Sequence, residues 1–181
     1  MRRQSFKIIP MTRSHRKACD AIVAGSEPWK TLGEELDLLP YIAAKQAYVC
    51  MAGGVPAGFV IFTPDPVFAR GGYLRAIAVA PDMRKLGIGK ALLSFAEERT
   101  ARKASNLYLC ASSFNRSAQR FYENLGYTKV GTIPGLIRED ASEYIYWKQL
   151  HAVRPKSLLR SRIPLKMARK SKNFFTTDYQ K

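Results

Sequence analysis

The sequence predicts an α/β domain built on one mixed β-sheet. Three observations lead there. β-Rich runs alternate with amphipathic helical stretches along most of the chain. Two of those runs flank Gly53-Gly54, which reads as an antiparallel hairpin. Two others, residues 73–80 and 107–111, are joined by a helical segment, which makes them parallel neighbours in a βαβ unit.

Residues 5–10 alternate and read as a first strand. Thr12 opens a helix over residues 13–24, closed by Gly25. Thr31-x-x-Glu34 reads as a capping box for a second short helix ending near Leu39-Pro40. Residues 47–51 and 58–62 are the hairpin strands. Residues 73–80 are nearly all apolar, as in a strand buried on both faces. The next helix places Ile88, Ala91, Leu92, Phe95 and Ala96 on one face, with Arg99, Arg102 and Lys103 towards its C-terminal end. After the strand at 107–111, Asn115 reads as the N-cap of a helix carrying Ala118, Phe121, Tyr122 and Leu125, stopped by Gly126. Residues 127–133 and 143–150 complete the sheet. The domain spans residues 1–150; from His151 the periodicity breaks at Pro155 and Pro164, leaving a basic C-terminal tail, mobile or docked on the body.

Composition narrows the function. The 181 residues include only two histidines, and no Cys/His cluster has zinc spacing, so neither a histidine triad nor a metal site is expected. Three scattered cysteines suit reduced thiols, and no apolar run approaches the roughly 18 residues of a membrane helix. The expectation is a cytoplasmic protein away from the membrane. The net charge of +16 divides evenly. Nine basic residues against one acidic residue give the tail +8, and the body carries the other +8. A basic body favours an anionic ligand; the tail keeps nucleic-acid contact open, but it lacks any known nucleic-acid motif.

The anion site is legible. Arg84-Lys85-Leu86-Gly87-Ile88-Gly89-Lys90 lies between a strand and a helix. Unpaired amides and positive partial charge at a helix N-terminus attract phosphate, and glycines let it come close. A Walker loop needs a different glycine spacing and a Ser/Thr after the lysine, where Ala91 stands. A dinucleotide fingerprint needs a third glycine where Leu92 stands.

Arg84-x-x-Gly87-x-Gly89 after Ile77-Ala78-Val79-Ala80-Pro81 resembles the acetyl-CoA loop of the GCN5-related N-acetyltransferase (GNAT) family. A second family signature follows: Asn115-x-x-Ala118-x-x-Phe121-Tyr122-x-x-Leu125-Gly126-Tyr127. The resemblance implies a twisted mixed sheet with two splayed parallel strands flanked by helices, and acetyl-CoA as the co-substrate in the gap. Backbone groups of Ile77, Ala78 and Val79 would hold the pantetheine arm. Amides from Lys85 through Leu86, Gly87, Ile88 and Gly89 to Lys90, with Arg84 and Lys85 adding charge, would hold the pyrophosphate. Asn115 would cap its helix and also bind the cofactor arm. Tyr122 taken alone reads as a core aromatic; the resemblance makes it the general acid that protonates the leaving thiolate. The implied activity is direct acetyl transfer to a primary amine, probed first as a small molecule. A protein or peptide amine, or an acetyl-CoA-binding protein whose tail contacts nucleic acid, are the alternatives. A homodimer is left open.

The base departs from well-known relatives. Histone-type members carry a glutamate where this chain has Tyr73, and ribosomal-protein acetyltransferases carry one where it has Cys110. The amine must lose its proton to water, to an acidic residue elsewhere or before it binds. Glu27 is the first candidate base, ahead of Glu34, which the capping box occupies, and Tyr73 is a candidate relay through water. Glu27, Trp29 and Tyr73 are the expected acceptor-binding residues, an aromatic and a carboxylate suiting a cationic amine.

Overall fold

A computed structural model describes residues 6–68 and 70–150; the tail at 151–181 lies outside the described residues. Among the described residues seven strands, β1 Phe6–Pro10, β2 Ala47–Ala52, β3 Val55–Phe68, β4 Gly71–Val79, β5 Asn106–Ser112, β6 Thr128–Pro134 and β7 Ser142–Gln149, form one sheet. Their order is β1-β2-β3-β4-β5-β7-β6. Only β4 and β5 run parallel, as the connecting helix requires; every other neighbouring pair is antiparallel.

Helices cover both faces. On one, α1 Arg16–Ala24 and the segment leading into α3 Leu39–Ala43 pack Cys19, Ile22, Val23 and Leu38 on Val49, Phe59 and Ile61. On the other, α4 Ile88–Thr100 packs Ile88, Leu92, Leu93 and Ala96 on Val60, Phe62, Leu74, Leu107 and Leu109. Leu92 and Ala96 are fully buried, at one helical turn's spacing, so α4 is pinned by its apolar face. Truncating Leu92 to Ala removes a buried side chain at a cost of about 2–5 kcal/mol. That face holds the N-terminus of α4 against the end of β4. Helix α5 Arg116–Glu123 contributes Tyr122 to the same core.

The structure corrects four sequence expectations. The first helix begins with a 3₁₀ turn, Arg13–His15, before α1. The second is α2 Trp29–Leu32, ended by Gly33 at φ 65°. Thr31 therefore lies inside that helix and Glu34 follows its end, so the capping box does not form. Gly33, which accepts the left-handed conformation without strain, overrides the Thr/Glu pattern. Leu39-Pro40, read as a helix end, begins α3 instead, where the missing N–H of proline costs nothing. Lastly, β4 is not buried on both faces. Leu74, Ala76 and Ala78 are buried, but Tyr73, Ile77 and Val79 are half-buried and Arg75 is exposed.

Candidate active site

The site begins with a fault in the sheet. The β3–β4 register slips between Ile61 opposite Ala76 and Phe62 opposite Leu74. Arg75 is thus an extra residue, a β-bulge, which bends a strand and increases its twist. The parallel pairing of β4 with β5 ends at Leu74 opposite Leu109, one residue before the bulge. Beyond it the two strands part. Residues 75–79 lose their β5 partner, leaving backbone groups that must find another. A cavity of about 620 Å³ occupies the gap.

At one end of the cavity lies the glycine loop. Gly87 caps α4 at φ 84°, a conformation strained for any residue with a Cβ. A Cβ on Gly89 would stand 3.4 Å from the Phe121 ring and 3.7 Å from Val79 Cγ2, so the missing side chain keeps the cradle open. Lys85, Gly87, Ile88, Gly89 and Lys90 line the cavity together with Ile77, Ala78 and Val79. Leu86 does not line it and is half exposed. Arg84 lines it too, but its guanidinium is engaged in the scaffold. It donates to Val79 O at 3.2 Å, Gly25 O at 3.2 Å and Ser26 Oγ at 3.3 Å, tying the loop to the α1–α2 turn.

Helix α5 supplies the facing wall. Asn115 Oδ1 accepts from Ala118 N at 3.1 Å, the expected N-cap. Gln119, which the sequence reading passed over, is buried; its Nε2 donates to Ser112 O at 2.9 Å and Ser113 O at 3.0 Å, fixing the end of β5 to α5. Tyr122 follows one turn after Ala118 and lines the cavity, 5% exposed. Burial, with Tyr73 nearby, pushes its hydroxyl well above the ordinary tyrosine range, so it keeps its proton at neutral pH.

The other end of the cavity is built by side chains from separate elements. Trp29, Leu32, Leu36 and Ile137 give it apolar walls, with Trp29 tilted on Phe59 at 6.5 Å. Glu27 and Glu34 stand exposed at the rim. Inside, Tyr73 lies against Cys110; burial first and Cys110 second push the Tyr73 hydroxyl up to about 12, with Arg75 pulling it down. Burial also raises the Cys110 thiol, so it stays protonated and is a poor nucleophile. Arg75 Nε donates to Tyr41 Oη at 3.3 Å. Glu143, opposite Ser112 on β7, is only 6% exposed, lines the same cavity and has no ion pair among the described residues. Burial raises its carboxyl above the ordinary glutamate range. The Ser112 hydroxyl first, and Arg75 second, act against that rise.

A splayed parallel pair, a glycine cradle at one end and a protonated tyrosine in the gap form a recognisable set. The model of the acetyltransferase (GNAT) family matches residues 13–127. The chain belongs to the GNAT acetyltransferase family. Solved structures share the fold at low identity. The ribosomal-protein-S18-alanine N-acetyltransferase from Escherichia coli is 20% identical over 84% of this chain and 98% of its own, with a TM-score of 0.64. PaiA N-acetyltransferase from Thermoplasma acidophilum, in complex with coenzyme A, is 20% identical over 80% and 99%, with a TM-score of 0.65. A nourseothricin acetyltransferase is 18% identical over 81% and 99%, with a TM-score of 0.64. No curated protein sequence matches significantly.

This GNAT protein is therefore an acetyltransferase whose co-substrate is acetyl-CoA. Its residues fit that molecule: the unpartnered edge of β4 after the bulge, the amides around Gly87 and Gly89, and a gap narrowed where any Cβ at position 89 would stand. Among the described residues no group of acidic, histidine and cysteine side chains is placed to hold a metal, and no helix is long and apolar enough to cross a membrane. Glu143 and Arg75 were missed by the sequence reading of this GNAT domain. A charged residue at the start of a strand bounded on both sides was the available signal, but only the β5–β7 register carries Glu143 to the cavity.

Proposed function

We propose that the protein acetylates the primary amine of a small molecule by direct transfer from acetyl-CoA. The observation that carries this reading is one continuous cavity that joins the glycine loop and the β4 edge to Trp29, Tyr73, Cys110 and Glu143. Bound acetyl-CoA supplies an activated acetyl group; the chain supplies position and protons. Ile77 and Val79 would pair through their backbone with the arm, as an added strand pairs with a sheet edge. Amides at 85–90 would hold the pyrophosphate, with Lys85 and Lys90 supplying charge, while Arg84 holds the loop in place. Asn115 would use its Nδ2 donors, which the helix cap leaves unspent, for the arm.

Tyr122 would donate its proton to the departing sulfur, a role supported by its place in the gap between β4 and β5. The protonated Cys110 speaks for attack by the amine itself, without an acyl-enzyme. Trp29, Tyr73 and the rim carboxylate Glu27 would receive the amine, an aromatic face and a negative charge favouring a cation. The acceptor end is walled by Trp29, Leu32, Leu36 and Ile137, apolar surface that a small molecule could cover.

A panel of amines, polyamines, amino acids, antibiotics and peptides, scored by acetyl-CoA-dependent thiol release, tests this. Turnover of a small amine with no turnover of peptides is expected. Preferential turnover of peptides would replace the small-molecule reading, and acetyl-CoA binding without any turnover would replace the enzyme reading with a binding one.

A further inference from the structure

Resting on the acetyl-transfer reading above, we propose that Glu143 is the proton acceptor that deprotonates the incoming amine. The residue sits where such a group is needed. Strand β7 carries it opposite Ser112, in the part of β5 that has parted from β4. The carboxylate is almost fully enclosed, lines the reaction cavity and has no ion pair among the described residues. A buried carboxylate without a contact ion pair costs stability, and buried titratable groups of this kind cluster at functional sites.

Its surroundings connect it to the reacting end. Cys110 and Ser112 face it from β5, and Arg75 acts on it from β4. Ile133 of β6, which carries no charge, stands opposite on the other side. Arg75 touches Tyr41 and acts on Tyr73, and Tyr73 in turn influences both Cys110 and Tyr122. Glu143, Arg75, Tyr73, Cys110 and Tyr122 thus all line one cavity. Glu27 offers less: it is exposed at the rim, on a turn before α2.

The proton balance closes. An ammonium acceptor gives one proton to the Glu143 carboxylate and becomes a neutral amine. The new bond is nitrogen to the acetyl carbon, and the bond that breaks is carbon to sulfur. The departing sulfur takes the Tyr122 proton, and the second proton lost by the nitrogen restores Tyr122. Glu143 then releases its proton to water, so each turnover yields one acetamide, one thiol and one free proton. Burial raises the affinity of Glu143 for a proton, which brings its basicity nearer that of a working base at neutral pH. The Ser112 hydroxyl, and Arg75 after it, act against that rise.

Two measurements test the assignment. Infrared difference titration of wild type against Glu143→Gln reads the carboxyl directly, without an acceptor. One carboxyl titrating above the ordinary glutamate range is expected; titration within that range overturns the proposal, whatever amine the panel yields. Turnover is then followed against pH with the amine the panel identifies and with a less basic analogue of it. Glu143→Gln is expected to lower kcat about 100-fold at neutral pH, to lose the acidic limb and to recover as pH rises. The deficit should shrink for the less basic amine, which arrives deprotonated. Acetyl-CoA binding by calorimetry should be unchanged, which also shows that the variant is folded. Arg75→Gln should move the acidic limb to higher pH, because a cation favouring the carboxylate is gone. A variant whose KM alone rises, with the limb intact, would make Glu143 an ammonium-binding group and overturn its role as base. Loss of the limb in Glu27→Gln instead would transfer the role to Glu27. If wild type acetylates no amine, the acetyl-transfer reading falls with this one; if it does and Glu143→Gln retains the limb, only this one falls.

Discussion

The two ends of the cavity are built in different ways. The donor end is made mostly of backbone: a strand edge freed by the Arg75 bulge, a left-handed Gly87 and an N-terminal helical turn, all within residues 75–90. The acceptor end is made of side chains, with Tyr73 from β4, Cys110 from β5, Glu143 from β7 and Trp29 from α2. On the proposed reading, backbone binds the acetyl-CoA that the family shares, and side chains handle the amine and its proton. Variants should therefore separate into those that alter acetyl-CoA binding and those that alter turnover.

The largest effect after that of Glu143→Gln is expected from Tyr122→Phe. It removes only a hydroxyl, and kcat should fall about 100-fold, while acetyl-CoA affinity measured by calorimetry stays within about twofold. Because burial raises the Tyr122 hydroxyl, wild type should show no loss of activity through its ionisation across the neutral range. An unchanged kcat would return Tyr122 to a packing role. At the donor end, Gly87→Val forces a β-branched residue to φ 84°, at a cost of about 1–2 kcal/mol. Acetyl-CoA affinity should fall about tenfold, with kcat at saturation nearly unchanged.

Smaller effects sharpen the contrast. Lys85→Ala and Lys90→Ala each remove an exposed charge, and each should weaken acetyl-CoA binding by about twofold to fivefold. That loss should fade in high salt, where a contact made by backbone amides would persist. Glu143→Gln should also change stability with pH. The folded carboxyl binds its proton more tightly than the unfolded one, so its contribution is fully present at low pH and lost as pH rises through the raised value. The melting temperature of Glu143→Gln should therefore gain on wild type as pH rises, and the difference should narrow in acid. Glu27→Gln, at the exposed rim, should leave the pH dependence of turnover intact and change KM for the amine by about twofold at most.

The same contrast explains what was legible in the sequence. The donor end could be read because its residues are contiguous, and because the glycine spacing before a helix has few meanings. Asn115 announced its helix for a similar local reason, and the structure shows its cap bond. The bulge at Arg75 left no mark, since it is a shift in register between β3 and β4, and the strand read as uniformly buried. Glu143 was invisible for the same reason: its place opposite Ser112 follows from pairing of β7 with β5 across some thirty intervening residues. Thr31 and Glu34 matched a capping pattern, but Gly33 between them ends the helix that the pattern would begin.

Combining Gly87→Val with Tyr122→Phe tests the division most directly. Acetyl-CoA affinity and kcat would be measured for wild type, both single variants and the double variant. The expected result is that Gly87→Val moves affinity alone, Tyr122→Phe moves kcat alone, and the double variant shows the sum of the two free-energy changes. Loss of both quantities in each single variant would contradict the account, because the cradle and the proton donor would then act as one unit.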